Sequence, residues 1–275
     1  AVNECDVLFL VGARVGDRAV KTPLALEKTT KIIHIDIDPA EIGKNIGADL
    51  PLVGDAKLVL QQMTELAKPM KHDEWIAHIK TLGGERKYVE PAKGTVNPRV
   101  FIDRLAKKMP ANVTVVADVG QNQIWTCTEY KFRKEGRLLT SGGMGTMGYS
   151  VPAAIGAKMA DDSRATVAIC GDGAFQMSFM ELATAVQFGV DIKVAVMTNN
   201  RLGMVRELQT NGYHDRQTAV FLDGSPDFIK LAEAYGIPAM RVYDDATMEK
   251  GVEMLAEHKG ICLVEVVVDK DMPTL

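Results

Sequence analysis

Between Cys170 and Val205 the chain reads CGDGAFQMSFMELATAVQFGVDIKVAVMTNNRLGMV, and this stretch constrains the fold more than any other. An apolar run, Ala165 to Cys170, stops at Gly171-Asp172-Gly173. A second run, Ile192 to Thr198, is rich in β-branched residues and stops at Asn199-Asn200. Between them a helical pattern puts Phe179, Leu182, Ala183 and Val186 on one face. Ser178 and Glu181 have the spacing of a capping box at its start, and Gly189 stands where the helix should stop. Strand, helix and strand in this order imply a parallel pair, because the crossover returns the chain to the end where it began. The expected fold class is α/β, with parallel sheets flanked by helices. Ligands of such sheets bind beyond the carboxyl ends of the strands. Asp172 and Asn199 both fall there.

A carboxylate and an amide carbonyl are hard oxygen donors that suit Mg²⁺ or Ca²⁺. Mg²⁺ takes one or two protein oxygens and completes its octahedron with phosphate and water. Gly171, Gly173 and Ala174 are small enough to let backbone N–H groups approach a phosphate. The stretch therefore reads as a site for a Mg²⁺-bridged diphosphate. A tight turn with an Asx cap, then an Asn-Asn turn, would use the same residues. The pairing of GDG with a following strand that ends in NN favours the site.

A chain of 275 residues accommodates one large or two modest domains. The net charge of −4 gives no electrostatic case for nucleic acid or an anionic membrane. No apolar run approaches the ~20 residues of a membrane-spanning helix, and no signal peptide is visible, so a cytoplasmic location is expected. The four cysteines, Cys5, Cys127, Cys170 and Cys262, form no C-x-x-C pair and read as thiols in a reducing compartment. The five histidines show no metal-ligand spacing, and His34 lies in a strand pattern as a structural residue. The chain enters a strand almost at once and without Met, which reads as a piece of a longer protein.

Residues 1–67 form a first unit. Asp6 to Val11 is a strand ending in Gly12-Ala13-Arg14, and Lys31 to Ile37 a second ending in Asp38-Pro39. A third short run ends at Gly54-Asp55, before a helix from Ala56 to Ala67. The fingerprint G-x-G-x-x-G is absent, so GARVGDR fits a plain loop as well as a nucleotide turn. Residues 68–96, rich in Pro, Gly and charge, read as a linker with a short helix around Trp75, Ile76 and Ile79. Residues 97–275 form the second unit. Asn97-Pro98 opens a helix whose apolar positions are Val100, Ile102, Leu105 and Ala106. The strand Val113 to Asp118 ends in Gly120-Gln121-Asn122-Gln123, facing the same crevice as GDG, although two loop amides alone read as solvent-exposed. Thr140 to Ser150 is a Gly-rich loop before a helix opened by Pro152. Met144, Met147 and Met177, taken alone, read as fillers of core gaps. Residues 211–222 read as a loop, followed by a helix from Pro226, a strand from Ala239, a helix from Ala246 and an apolar strand, Ile261 to Val268.

GDG, helix, strand and NN resemble the cofactor motif of thiamine-diphosphate-dependent enzymes. With DVGQNQIW (118–125), TSGGMGTMGYSVPAAIGA (140–157), NNRLGMVRELQ (199–209) and HIDIDPAEIGKN (34–45), the chain resembles the large catalytic subunits of acetolactate synthases over nearly its whole length. The resemblance implies a partial central FAD-type domain followed by a thiamine-diphosphate-binding domain. It implies thiamine diphosphate, Mg²⁺ and FAD as cofactors. The cofactor contacts carried over are Gln121, Asn122, Gly145, Met147, Gly171, Asp172, Gly173, Ala174, Asn199, Gly203 and Met204. The metal ligands are Asp172, Asn199 and the backbone carbonyl of Arg201. FAD contacts are Arg14, Arg18, Asp36 and Asp55, although Val15-Gly16 replaces the family's usual Phe-Asp. Met204 and Leu208 fall at substrate positions, with Leu208 where the family often has Trp, a residue associated with choice of the second substrate. The implied reaction condenses two pyruvates, or pyruvate and 2-oxobutyrate, with loss of CO₂, in branched-chain amino-acid biosynthesis. The implied partners are 2-oxo acids, further copies in a homodimer or homotetramer, and a regulatory small subunit. No catalytic residue is assigned here, because the family's activating glutamate belongs to an amino-terminal domain that nothing in this sequence matches. The expectation is that the 275 residues alone are inactive. A pyruvate oxidase or glyoxylate carboligase type of enzyme, or a non-catalytic cofactor-binding module, are the rival readings.

Overall fold

The computed structural model describes residues 1–16, 23–82 and 88–274. The chain divides into two compact units, Ala1–Arg86 and Lys87–Leu275. The stretch 68–96 contains this division and the short helix read around Trp75, Ile76 and Ile79. That helix, Asp73–Leu82, belongs to the first unit.

Unit 1 runs β1 (Val7–Val11), α1 (Pro23–Glu27), β2 (Lys31–Asp36), β3 (Leu50–Val53), α2 (Ala56–Leu66) and α3 (Asp73–Leu82). Its three strands form a parallel sheet in the order β1-β2-β3. Ile32, Leu26, Val15 and Ile46 make its core. Asp55 starts α2 by accepting a hydrogen bond from the Leu58 N–H at 3.1 Å. His34 is buried in β2, as its strand position suggested, with neither ring nitrogen hydrogen-bonded.

Unit 2 runs α4 (Pro98–Lys108), β4 (Thr114–Ala117), α5 (Gln121–Glu129), β5 (Arg137–Thr140), α6 (Ser150–Ala160), β6 (Thr166–Gly171) and α7 (Asp172–Gln176). A 3₁₀ turn, Phe179–Glu181, leads into α8 (Leu182–Gln187), β7 (Lys193–Thr198), α9 (Gly203–Gly212), α10 (Phe228–Ala234), β8 (Ala239–Val242), α11 (Asp245–Glu257) and β9 (Cys262–Val267). All six strands are parallel, in the order β5-β4-β6-β7-β9-β8. The continuous apolar runs have a direct cause, because a parallel sheet covered by helices is buried on both faces. Val167 and Ile169 of β6 pack with Phe101 and Leu105 of α4, Trp125 of α5 and Val252 of α11. The intervening Ala168 and Cys170 pack on the other face with Ile155 of α6, Phe175 of α7, Leu182 of α8 and Phe228 of α10. Among the described residues, no helix is long and apolar enough to cross a membrane.

The order of strands sets the place of the site. From β4 the chain moves outward to β5, then crosses back to β6 on the other side of β4. The loops after β4 and β6 therefore leave in opposite directions and open a crevice between them.

The helical reading of residues 178–187 needs correction. Helix α7 begins at Asp172, directly on the end of β6, and the 3₁₀ turn breaks the run before α8. Ser178 makes no capping bond, and its hydroxyl is buried without a partner. Glu181 instead accepts from the Thr184 hydroxyl at 3.2 Å. The buried residues of α8 are Leu182 and Ala185, whereas Ala183 and Val186 face solvent. A 3₁₀ turn has three residues per turn, so passing through it before α8 rotates the face that meets the sheet. Gly189, in the left-handed region at φ 61°, follows the end of α8 as expected.

Candidate functional site

A cleft opens at the carboxyl ends of β4, β6 and β7. Gly120, Gln121 and Asn122 line it from the start of α5, Gly171 to Ala174 from the end of β6, and Gly203 to Val205 from the start of α9. The amino ends of two helices carry partial positive charge, so their meeting makes a place for an anion.

Asp172 is the charge at the centre. It is 1% exposed, and both carboxylate oxygens accept backbone N–H groups. Oδ1 accepts from Gly173 at 2.8 Å, and Oδ2 from Asn199 at 3.1 Å and Asn200 at 2.6 Å. Burial pushes its carboxyl up to about 6, against the opposing pull of these N–H groups. The fold thus holds a carboxylate in a place that disfavours its charge.

Asn199 is brought against it by β7, the neighbour of β6. Its side-chain Oδ1 accepts from the Arg201 N–H at 3.0 Å, and its Nδ2 donates to Gln121 Oε1 at 3.2 Å. Asn200 takes a left-handed conformation, φ 54°, which Asn tolerates better than most residues. An isolated antiparallel bridge, Arg201 to Phe221, holds the loop after it. The Arg201 guanidinium turns toward that bridge, 4.7 Å above the Phe221 ring and 2.8 Å from Asp223.

Gln121 and Asn122 are not exposed loop amides. They form the first turn of α5 and are 4% and 3% exposed. Burial follows because the helix starts immediately at Gly120, leaving no free loop. Gln121 Nε2 donates to the Met272 carbonyl at 2.9 Å and to the Thr274 hydroxyl at 3.1 Å. Asn122 Nδ2 donates to the carbonyls of Asp118 at 2.8 Å and Ile169 at 3.1 Å, tying β4 to β6. Its amide donors are therefore held by backbone. Gly203 lies so close to Gln121 that a Cβ there would overlap Gln121 Oε1.

Met147, Met204 and Arg201 line the cleft, whereas Gly145 and Leu208 do not. Leu208 is 53% exposed on α9. Sequence reasoning missed Trp125 and Leu202, which also line the cleft. Trp125 stands one helical turn after Gln121, a spacing that would have placed both on one face. In unit 1, Arg14 is exposed, Asp36 accepts from the Asp38 N–H at 2.9 Å, and Asp55 caps α2. Arg18 lies outside the described residues. Among the described residues, no cluster of three His, Cys, Asp or Glu side chains could hold a metal ion.

A parallel sheet with helix starts gathered at its switch point, around one buried carboxylate, defines a protein built to grip a phosphorylated cofactor. The chain belongs to the thiamine pyrophosphate enzymes. Residues 118–266 match the family described as "Thiamine pyrophosphate enzyme, C-terminal TPP binding domain", and residues 1–63 match "Thiamine pyrophosphate enzyme, central domain". The chain is similar to the acetolactate synthase large subunit of Lactococcus lactis, 35% identical over 98% of this chain and 47% of that protein. It is 39% identical to the probable acetolactate synthase large subunit of Methanocaldococcus jannaschii, over 98% of this chain and 47% of that one. The acetolactate synthase large subunit of Corynebacterium glutamicum is 40% identical over 88% of this chain and 40% of its own length. The chain spans about half the length of the curated relatives it matches.

Proposed function

We propose that unit 2 holds thiamine diphosphate through Mg²⁺ and that the protein containing it condenses two 2-oxo acids, with loss of CO₂, to give an acetolactate. The observation that carries this is the buried Asp172 carboxylate between the amino ends of α5 and α9, with the Asn199 amide bonded around it. The donor set fits the metal. Asp172, the Asn199 amide oxygen and the Arg201 carbonyl are all hard oxygens, and a cation beside Asp172 would offset the burial that raises its carboxyl to about 6. Gly173 and the amino ends of α5 and α9 would receive the phosphates. Met147, whose side chain lines the same cleft and ends beside Gly173, would pack against the cofactor. Bound there, thiamine diphosphate supplies the carbanion chemistry of decarboxylation and carbon–carbon bond formation. The chain supplies position, charge and a cleft with apolar walls formed by Trp125, Met147, Leu202 and Val205.

The carboxylates of Asp36 and Asp55 accept local backbone N–H groups, and Arg14 is exposed. No step is assigned to a flavin.

Calorimetric titration of thiamine diphosphate tests the reading, with Mg²⁺, with EDTA, and on Asp172→Ala. Binding is expected only with Mg²⁺ and is expected to vanish in the variant. Equal binding in EDTA, or full affinity in Asp172→Ala, would overturn the metal assignment. Pyruvate supplied to the protein containing this chain is expected to yield acetolactate, and a different carbon skeleton would reassign the reaction.

A further inference from the structure

Gln121 stands in the middle of a chain of hydrogen bonds that runs out of the cleft. Its Nε2 donates to the Met272 carbonyl at 2.9 Å and to the Thr274 hydroxyl at 3.1 Å. The Thr274 hydroxyl donates in turn to Glu207 Oε2, and the Thr274 N–H donates to Glu207 Oε1 at 2.9 Å. On the other side, Gln121 Oε1 accepts from Asn199 Nδ2 at 3.2 Å, and Asn199 Oδ1 accepts from the Arg201 N–H at 3.0 Å. Glu207 stands on α9, one helical turn after Gly203, and does not line the cleft. Two further contacts hold residues 271–274 along both helices. Trp125 Nε1 of α5 donates to the Pro273 carbonyl at 3.1 Å, and Arg206 of α9 pairs with Asp271 at 3.3 Å.

A side-chain amide accepts at one end and donates at the other, so the direction of such a chain depends on the groups at its ends. A carbonyl and a carboxylate only accept. The Met272 carbonyl therefore takes the nitrogen of Gln121. The Glu207 carboxylate takes the proton of the Thr274 hydroxyl, which leaves that hydroxyl as a second acceptor for the same nitrogen. The Gln121 oxygen is then turned to Asn199, which meets it with its own nitrogen. The Asn199 oxygen is left to the Arg201 N–H, a group that only donates. Every link runs one way, and the two ends agree. Gly203 makes room for the middle link, because a Cβ there would overlap Gln121 Oε1.

We infer that Glu207 is a positioning residue: through Thr274 and Gln121 it sets which end of the Asn199 amide is turned to Gln121, and so keeps the Asn199 oxygen, rather than its nitrogen, available to a divalent cation. This rests on the reading above of a thiamine diphosphate site with Mg²⁺. Mg²⁺ takes oxygen ligands, and a reversed Asn199 amide would offer it N–H groups instead. In Glu207→Gln the Thr274 N–H keeps the remaining oxygen, so the new NH₂ group faces the Thr274 hydroxyl. The hydroxyl proton then loses its acceptor and competes for the Gln121 oxygen. The chain no longer has a single direction.

Calorimetric titration of thiamine diphosphate at a series of Mg²⁺ concentrations separates the positioning of a metal ligand from damage to the cleft. In Glu207→Gln the Mg²⁺ concentration for half-maximal binding is expected to rise about fivefold, the effect of one lost hydrogen bond to a charged group. With Mg²⁺ in excess, mass action is expected to restore the dissociation constant to within about twofold of the unsubstituted value. Thr274→Val removes the hydroxyl link while keeping the shape of the side chain, and should act in the same way. The double substitution should add little to either single one, because both break the same link. An unchanged Mg²⁺ requirement in Glu207→Gln would overturn the inference. A loss that excess Mg²⁺ does not restore would overturn it too, because Glu207 would then support the cleft as a whole. An unsubstituted chain that binds no thiamine diphosphate at any Mg²⁺ concentration would overturn the thiamine reading itself, and this inference with it. Side-chain amide NMR signals of the ligand-free chain give a second readout. The Asn199 signal is expected to shift in Glu207→Gln, although the two side chains are joined only through Thr274 and Gln121, and an unmoved Asn199 signal would overturn the role of Glu207.

Discussion

Asp172 and the cysteines show how burial acts on single ionisable groups. Asp172 keeps hydrogen-bond partners for both oxygens and is still raised to about 6, so loss of water outweighs the backbone N–H groups. Cys262 is pushed up to about 11, and Cys170 well above the ordinary thiol value, chiefly by burial, with nearby carboxylates adding to it. Raising a thiol's pKa lowers the thiolate fraction, and the thiolate is the reacting form. Cys5 and Cys127 are partly or fully exposed. Ellman's reagent at pH 8 is expected to modify at most Cys5 and Cys127 in the native chain, and all four thiols in denaturant. Rapid native modification of Cys170 or Cys262 would contradict their packing in the sheet. At this scale the sequence was legible where a residue's type and its place at a strand end agree, as for Asp172 and Asn199. It was not legible for Asp118 and Asn122, whose partners lie 30 and 47 residues away.

Elements differ in whether local sequence alone decides them. Helix α4 is locally decided. Asn97 accepts from the Arg99 and Val100 N–H groups at 2.9 and 3.3 Å, and Pro98 follows it. Asn97→Ala is expected to cost about 1 kcal/mol, read as a lower urea midpoint with unchanged slope. Its buried face includes Phe101, which the periodic reading left out, while Val100 is only partly buried. Helix α9 is decided by contact. Its first residue, Gly203, has no room for a Cβ beside Gln121, whereas Gly212 at its other end has nothing within 4 Å. Gly203→Ala is expected to weaken thiamine diphosphate binding at least tenfold. Gly212→Ala should leave binding unchanged and alter stability by no more than about 1 kcal/mol. Equal effects from the two glycines would remove the argument that the close approach of α9 to α5 builds the site. The failed capping box at Ser178 and Glu181 belongs here too, because a 3₁₀ turn occupies Phe179–Glu181 and the α-helix that the spacing announced begins only at Leu182.

For the molecule as a whole, the site lies within unit 2, and two apolar layers support it. A ligand that binds only the folded state stabilises it by about 2.7 kcal/mol at a hundred times its dissociation constant. For a unit of this size that corresponds to roughly 5–10 °C in the unfolding midpoint. Thiamine diphosphate with Mg²⁺ is expected to produce such a shift, and either alone only a small fraction of it. EDTA should return the midpoint to that of the ligand-free chain. A full shift with thiamine diphosphate in EDTA would mean that helix ends bind the diphosphate without a bridging cation. Unit 1 has a smaller core, and its helices α2 and α3 bury no residue.

The sequence by itself determined the α/β class and the parallel order within the strand–helix–strand unit. Apolar runs bounded by glycine and asparagine leave few other solutions, and crossover geometry removes most of the rest. It also determined the residues at the centre of the site, because strand ends are where a parallel sheet presents side chains to ligands. Only the tertiary structure decided which partners hold each amide at the cleft. Gln121 and Asn122 look alike as letters, yet one is held by residues 272 and 274 and the other by the backbone of β4 and β6. The physical reason is that a buried polar group must find partners wherever the fold offers them. Those partners come from distant parts of the chain that no local pattern connects.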